Sequence, residues 1–475
     1  MHVLNTQRMF PWEALEDCPS LKTIRQMLQA LPDAKLLEAL RRRRGRGRNQ
    51  YPVHILWGVQ LLTVACRHVT TQACLDELHR NPSLRQIIGI EHEWQIPNKW
   101  NMSRFQAVLG APEIYPLMRE VFDELISQLG ACVPELGKHT AGDSCHLHGR
   151  PGRAADPDRG PAAGDGTEMF EAEGSPAPPV EAQEPAAPLP QPTGGRKEYK
   201  DDEGKVTKVL EWFGYKLHLL VDQKTEVTLS WDITSANAPD NHTIPALLEQ
   251  ARRNLPEGRI ETLAYDKAAD DSAVHRALSE AGVKPVIQIT SHWEDEAERM
   301  LPGHDGTSNI VYDEAGTIWC YDKTSEPPVK RQMYYNGYEA ARGTLKYRCP
   351  VAVYEGSCAH AHVCNRERSY GKTVRVDCQI DLRRFPPIPR ATKKFEKLYK
   401  GRTTVERVNA RLKVFWGADD GNVTGAERFH GHVATIMIVH AVMATLLASA
   451  PRHDGTLGQT RLLPVAQALH KTWGG

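Results

Sequence analysis

Apolar residues recur at intervals of three and four through the first 130 residues, over segments 21–31, 34–42, 53–66, 71–80 and 83–88. That spacing predicts a run of short helices joined by tight turns. Pro97 leads into one more helix, for which Asn101 or Ser103 is the expected N-cap. Beyond residue 138 the helical spacing gives way to alternation. Residues 139–147 predict a short strand containing Asp143. Residues 212–222 alternate as a second strand, and a turn at 223–226 leads into a hairpin partner at 227–234. A turn at 237–241 precedes a helix over 243–254, and a strand over 261–266 ends in Asp266. A helix over 271–281, stopped by Gly282, and a strand over 284–289 complete the segment. Aspartate among small residues in a strand is disfavoured, so Asp143 caps an edge, sits in a turn or serves a site.

The succession of strand, hairpin, helix, strand, helix and strand is that of an RNase H-like α/β core. In such a core the first and fourth strands are neighbours, which would bring Asp143 and Asp266 to adjacent positions. Residues 290–390 hold only short strand-like pieces, at 309–311, 318–321, 344–348 and 373–377. This stretch contains Cys349, Cys358, Cys364 and Cys378, with His360 and His362 nearby. Their spacing lacks the paired CxxC of a zinc ribbon, so a structural zinc site and unligated thiols both stand, and Cys320 fits either. The apolar run 434–450 is broken by His440 and is short for a membrane span. It reads as a buried helix that closes the core.

Composition changes this picture in three places. The 475 residues carry no net charge, which at first argues against a nucleic-acid partner. Yet residues 151–195 hold eight acids against Arg153 and Arg159, so the rest of the chain is basic by six charges. That stretch is rich in Pro, Ala and Gly and too poor in apolar side chains to order itself, so it is expected to be a disordered acidic linker. Residues 383–413 concentrate eleven Lys and Arg against Glu396 and Glu406, the footprint of a polyanion partner. A second basic run holds Arg41, Arg42, Arg43, Arg44, Arg46 and Arg48 within the helical region, as a DNA-binding unit or a helical dimerisation domain would. The opening residues lack the basic-then-apolar pattern of a secretory signal. Ten cysteines without that signal point to reduced thiols in the cytoplasm.

The densest candidate chemistry lies at 399–413. On a single helix, Tyr399, Arg402, Glu406 and Lys413 would fall within roughly 60° of one another. One carboxylate flanked by two cations and a phenol suits a metal-assisted phosphoryl-transfer site, although an Arg–Glu pair on a solvated face has the same spacing.

The interval Y-(2)-R-(3)-E-(6)-K formed by these four residues resembles the signature of bacterial insertion-sequence transposases of the DDE class. The stretch Gly214-Tyr215-Lys216-Leu217-His218 resembles the second strand of those proteins, residues 234–240 the turn after their third, and Pro97 followed by Ser103-Arg104-Phe105 the end of their N-terminal domain. The chain departs from the family after the second acid, where Ala268-Ala269 stand in place of Gly-Tyr, and in the length of the 151–195 stretch.

The resemblance implies an RNase H-like core with an all-α N-terminal domain and a mostly β insertion domain. It implies Asp143, Asp266 and Glu406 as catalytic metal ligands for Mg2+ or Mn2+, and Tyr399, Arg402 and Lys413 as DNA contacts. Arg41, Arg42, Arg43 and Arg44 would join them, and Zn2+ would bind Cys349, Cys358, Cys364 and Cys378 if that cluster is a metal site. The expected division is a helical DNA-binding or dimerisation domain at 1–130, the first catalytic strand in 131–150, the linker at 151–195 and the core at 196–290. The insertion follows at 291–390, then catalytic helices at 391–450 and a tail at 451–475. The expected partners are double-stranded DNA, as terminal inverted repeats and target, and a second copy on that DNA, with no membrane. The expected reaction is cutting and joining at insertion-sequence ends. A nuclease that cuts without joining and a catalytically silent DNA-binding derivative are the alternatives.

Overall fold

The computed structural model describes residues 18–45, 50–150, 188–200, 205–293, 298–302, 309–322, 325–354, 357–359, 361–365, 370–420, 423–450, 456–458 and 461–470. Arg46, Arg48, His360 and most of the stretch expected to be a linker lie outside these residues.

Seven helices open the described chain: α1 (Pro19–Ala30), α2 (Ala34–Arg44), α3 (Val53–Ala65), α4 (Thr71–Arg80), α5 (Pro82–Ile87), α6 (Lys99–Leu109) and α7 (Tyr115–Cys132). The N-cap of α6 is Asn98, earlier than either residue expected. Following Pro97 it is extended, and its side-chain oxygen accepts the Asn101 amide at 2.9 Å. Helix α3 is apolar on every side and buried almost throughout, the mark of a central helix rather than a surface one. The indole of Trp57 on α3 donates to Asp33 at 2.8 Å.

The central sheet is built from β1 (His139–His148), β2 (Thr193–Lys200), β3 (Val206–Asp222), β4 (Thr228–Ser235), β5 (Thr262–Tyr265) and β6 (Lys284–Ile287). Its order is β3-β1-β5-β6, with β4 and β2 both paired to β3. Strands β1 and β3 run antiparallel, whereas β1, β5 and β6 run parallel, as crossovers through α8 (Ile244–Asn254) and α9 (Ser272–Glu280) require. Strand β2 begins at Thr193, inside the stretch expected to be linker, and pairs with the N-terminal half of β3. Gly195 permits this, because a Cβ there would lie 2.5 Å from the Trp212 ring.

Four helices close the described chain: α10 (Lys393–Lys400), α11 (Thr403–Trp416), α12 (Ala426–Ala448) and α13 (Leu462–Leu469). Helix α12 is long and apolar enough to cross a membrane by length and composition, but 83% of its most apolar window is buried inside the fold. It packs on α7, α6 and α3, so the N-terminal helices and the sheet share one hydrophobic core. The described residues up to 130 stand apart in their helical pattern but not in their packing.

The insertion has its own core, around Ile310, Ile318, Leu345, Tyr347, Val374 and Phe385. Its described residues form a four-stranded sheet, β7 (Arg299–Met300), β8 (Ile310–Tyr312), β9 (Ile318–Asp322) and β10 (Val329–Gln332), a three-stranded one, β11 (Tyr334–Glu339), β12 (Thr344–Arg348) and β13 (Thr373–Asp377), and two short helical pieces at Val351–Tyr354 and Ala361–Asn365. Asp270 anchors the join to the main sheet. Its carboxylate takes the Thr290 amide at 2.6 Å and Arg383 at 2.7 Å, with His275 at 3.2 Å and Arg390 at 3.8 Å. Burial raises the Asp270 carboxyl, but these donors outweigh it and hold the group below its ordinary value. The acid that follows the unusual Ala268-Ala269 pair is thus a structural one.

Candidate active site

Asp143 sits in the middle of β1, opposite Leu219 of β3. On the other edge β1 is in parallel register with β5, Ala141 beside Ala264. Two residues further along each strand, that register brings Asp143 level with Asp266. Gly142 makes room for this arrangement, because a Cβ would stand 2.5 Å from the Tyr265 ring. Asp266 caps a short 3-10 turn at Lys267–Ala269, its Oδ1 accepting the Ala268 amide at 3.0 Å. Asp143 accepts the amide of Ser144 at 2.8 Å. Burial pushes the Asp143 carboxyl up to about 6, and the negative charge of Asp266 adds to the rise.

Glu406 enters from α11. The single helix expected over 399–413 is in fact two. Backbone bonds around Gly401 and Arg402 shorten to three-residue spacing, and α10 ends before α11 begins. Gln223 lies against Gly401 and donates to the carbonyls of Leu398 and Thr140, so the break is fixed by contact with the sheet. Arg402, in the break, reaches Glu406 at 2.7 Å and Asp143 at 3.9 Å. Tyr399 stacks on Phe395 with ring centres 5.7 Å apart. Burial raises its phenol above the ordinary value, while the charge and hydrogen bond of Arg402 oppose the rise. Tyr399, Arg402, Glu406, Asp143 and Asp266 therefore share one electrostatic neighbourhood.

Lys413 does not join them. Seven residues beyond Glu406, or about 10 Å along the helix, it pairs with Asp419 at 3.6 Å. The arginine run divides as well. Arg41 and Arg42 project from the last turn of α2 and pair weakly with Glu38, at 3.9 Å and 3.3 Å. Arg43 pairs with Glu113, and Arg44 donates to the carbonyl of Tyr51, so both serve the fold.

Of the four candidate zinc cysteines, Cys378 is misplaced. It is buried in the insertion core, where burial pushes its thiol up to about 12. Burial raises the Cys320 thiol to about 11, and the charges of Cys364, Cys349 and Cys358 bear on it too. Spacing along the chain cannot distinguish a core sulfur from a clustered one.

The sequence reading also missed Asp240 and Lys216, which meet at 2.9 Å beside β1. Asp240 accepts the Ser144 hydroxyl at 2.7 Å. Burial raises its carboxyl, but Lys216 and Ser144 overcome that and leave it below its ordinary value. The signal was present in Lys216, a charged residue in an otherwise apolar strand.

The donor chemistry of the acid cluster fits a hard divalent cation. Asp143, Asp266 and Glu406 offer only oxygen, and burial, with the neighbouring charge of Asp266, holds the Asp143 carboxyl above its ordinary value. A family model described as Transposase DDE domain matches residues 179–442, and one described as Transposase domain (DUF772) matches residues 13–107. The first takes in Asp266 and Glu406 and begins beyond Asp143. No curated protein matches the chain. With more than half of its length matched by the first model, the chain belongs to the DDE transposase family.

Proposed function

We propose that this transposase cuts DNA at the ends of its insertion sequence and joins the freed ends to a target duplex. The observation that supports the reading is the parallel register that brings Asp143 level with Asp266, beneath a helix bearing Glu406. Asp143, Asp266 and Glu406 would hold Mg2+ or Mn2+. Such ions, when bound, supply Lewis-acid activation of water or a 3′-hydroxyl and stabilise the leaving oxygen. Arg402 would exchange its contacts with the acids for a phosphate of the DNA, and Tyr399 would donate a hydrogen bond to a neighbouring one. Lys413, Arg41 and Arg42 would contact phosphates further along the duplex.

The proposed organisation is an RNase H-like core made of 131–150, 196–290 and 391–450, interrupted by the β insertion at 291–390. Residues 1–130 would contribute end recognition, and two copies would act on a pair of ends. Structural Zn2+, where present, would bind Cys349, Cys358 and Cys364 with Cys320 as fourth ligand in place of Cys378.

The test is a cleavage and strand-transfer assay in Mg2+, using linear DNA that carries the element's ends, with wild type against Asp143→Asn. Cutting and joining by wild type alone supports the reading. Cutting without joining would point to a nuclease, and inert proteins that both bind the ends would point to a silent DNA-binding derivative.

A further inference from the structure

Beyond the acid cluster, a different donor set comes together at the far end of β1. One ligand atom each of His146, His148 and Asp419 lies within 4.8 Å of the other two. The two histidines alternate on β1, so both rings leave the same face of the strand. Pairing with Lys216 and Gly214 of β3 fixes their backbone. The His146 ring packs against Trp212 at 5.5 Å and against His148 at 5.4 Å between centres.

Asp419 arrives from the turn after α11. Left-handed Gly417 makes that turn, and the adjoining Asp420 is held by Arg67 at 2.9 Å. Asp419 Oδ1 accepts the backbone amide of His148 at 2.6 Å and lies 2.8 Å from its Nδ1. The group is therefore placed by two separate elements and not by one flexible loop. The charge facing it from α11 is Lys413, at 3.6 Å from Asp419 Oδ2.

We propose that His146, His148 and Asp419 form a second metal site, which binds a first-row transition ion such as Zn2+. Two imidazoles and one carboxylate are the donors such ions favour, whereas oxygen alone suits Mg2+. His146 is three residues from Asp143 on an extended strand, about 10 Å away, so the two sites do not share a ligand or an ion. In a tetrahedral zinc site the ligand atoms stand about 3.3 Å apart, given bonds of roughly 2.0–2.1 Å. Nδ1 of His148 and Oδ1 of Asp419 need only exchange their hydrogen bond for a common ion. Binding ties β1 to the end of the helix that carries Glu406. It also draws on the charge of Asp419, whose other oxygen faces Lys413, so the occupied site weakens that pair.

The test is equilibrium dialysis of the full chain against Zn2+ in excess Mg2+, with zinc per chain compared between wild type and the double variant His146→Ala/His148→Ala. The expected result is one zinc fewer in the variant. Cysteine-bound zinc is common to both proteins and cancels. Equal zinc content would overturn the proposal. Lys413→Ala keeps all three ligands and guards against a folding defect in the double variant. It should bind the same zinc several-fold more tightly, because the competing ammonium is gone. Unchanged or weaker zinc affinity in Lys413→Ala would also overturn it.

Discussion

Arg402 Nη2 lies 2.7 Å from Glu406 Oε1, and the same guanidinium reaches Asp143 Oδ2 at 3.9 Å. A cation thus already stands between two acids that come from a strand and a helix. It neutralises part of the charge that a divalent ion would otherwise take up. Arg402→Ala should therefore raise Mn2+ affinity several-fold while lowering cleavage of DNA ends. Titration of Mn2+ followed by electron paramagnetic resonance reads the first effect. A weaker affinity for Mn2+ in the variant would mean that Arg402 supports the metal ligands instead of competing with the metal.

The raised carboxyl of Asp143 has a consequence for stability. Its ordinary value is 3.8 and its value in the fold is about 6, so the folded state keeps the proton to higher pH than the unfolded chain does. Metal-free protein should then lose stability as pH rises from about 4 to 6, by up to about 3 kcal/mol at neutral pH. Asp143→Asn removes the titrating group and keeps an acceptor for the Ser144 amide. At pH 7.5 and without metal it should melt above wild type, and the gap should close near pH 4. Adding Mg2+ should raise the wild-type Tm and leave the variant nearly unmoved. Equal melting of the two at pH 7.5 would show that Asp143 carries no such strain.

These effects hinge on residues that the chain pattern discloses unequally. Strand alternation over 212–222 and the acid-ended strand before Asp266 are local properties, and both elements form, although β3 already begins at Val206 and β5 stops at Tyr265, leaving Asp266 to cap the turn that follows. The amphipathic N-terminal helices likewise reveal which side is buried, but not that α12 is what buries it. Long-range partners leave no local trace. His148 and Asp419 are 271 positions apart, and nothing near either one announces the other. The break between α10 and α11 depends on Gln223, 175 positions from the Leu398 carbonyl that it holds. Cys320 and Cys378 differ only in what surrounds them after folding.

Asp270 illustrates such a hidden partner with a large energetic consequence. Its side chain is fully enclosed, and Arg390 beside it is 5% exposed. Asp270→Ala leaves Arg383 and Arg390 facing each other in the interior without their acid. Breaking a buried pair in this way typically costs about 3–5 kcal/mol. Urea unfolding should register a loss of that order, and a loss within about 0.5 kcal/mol, as for a surface substitution, would refute the anchoring role. Because the carboxyl is held below 3.8, its contribution is present above that pH. It should fade as pH falls further, so wild type and variant should converge in acid.

Lys413 is paired with Asp419 at 3.6 Å and its side chain is only 17% exposed, so its pull on DNA competes with an internal partner. If it reaches a phosphate in the complex, one counterion is released there, and the slope of log affinity against log salt steepens by about 0.9. Lys413→Ala should flatten that slope by the same amount and weaken binding to DNA ends most at low salt. Asp419→Asn, by loosening the internal pair, should act in the opposite direction and strengthen binding at low salt. Fluorescence anisotropy across a salt series measures both. A loss on Lys413→Ala that is the same at every salt concentration would assign the residue to holding the turn after α11, where Asp419 already bonds the His148 amide. The two variants together separate these roles, because a lysine that only packs gives Asp419→Asn no reason to favour DNA.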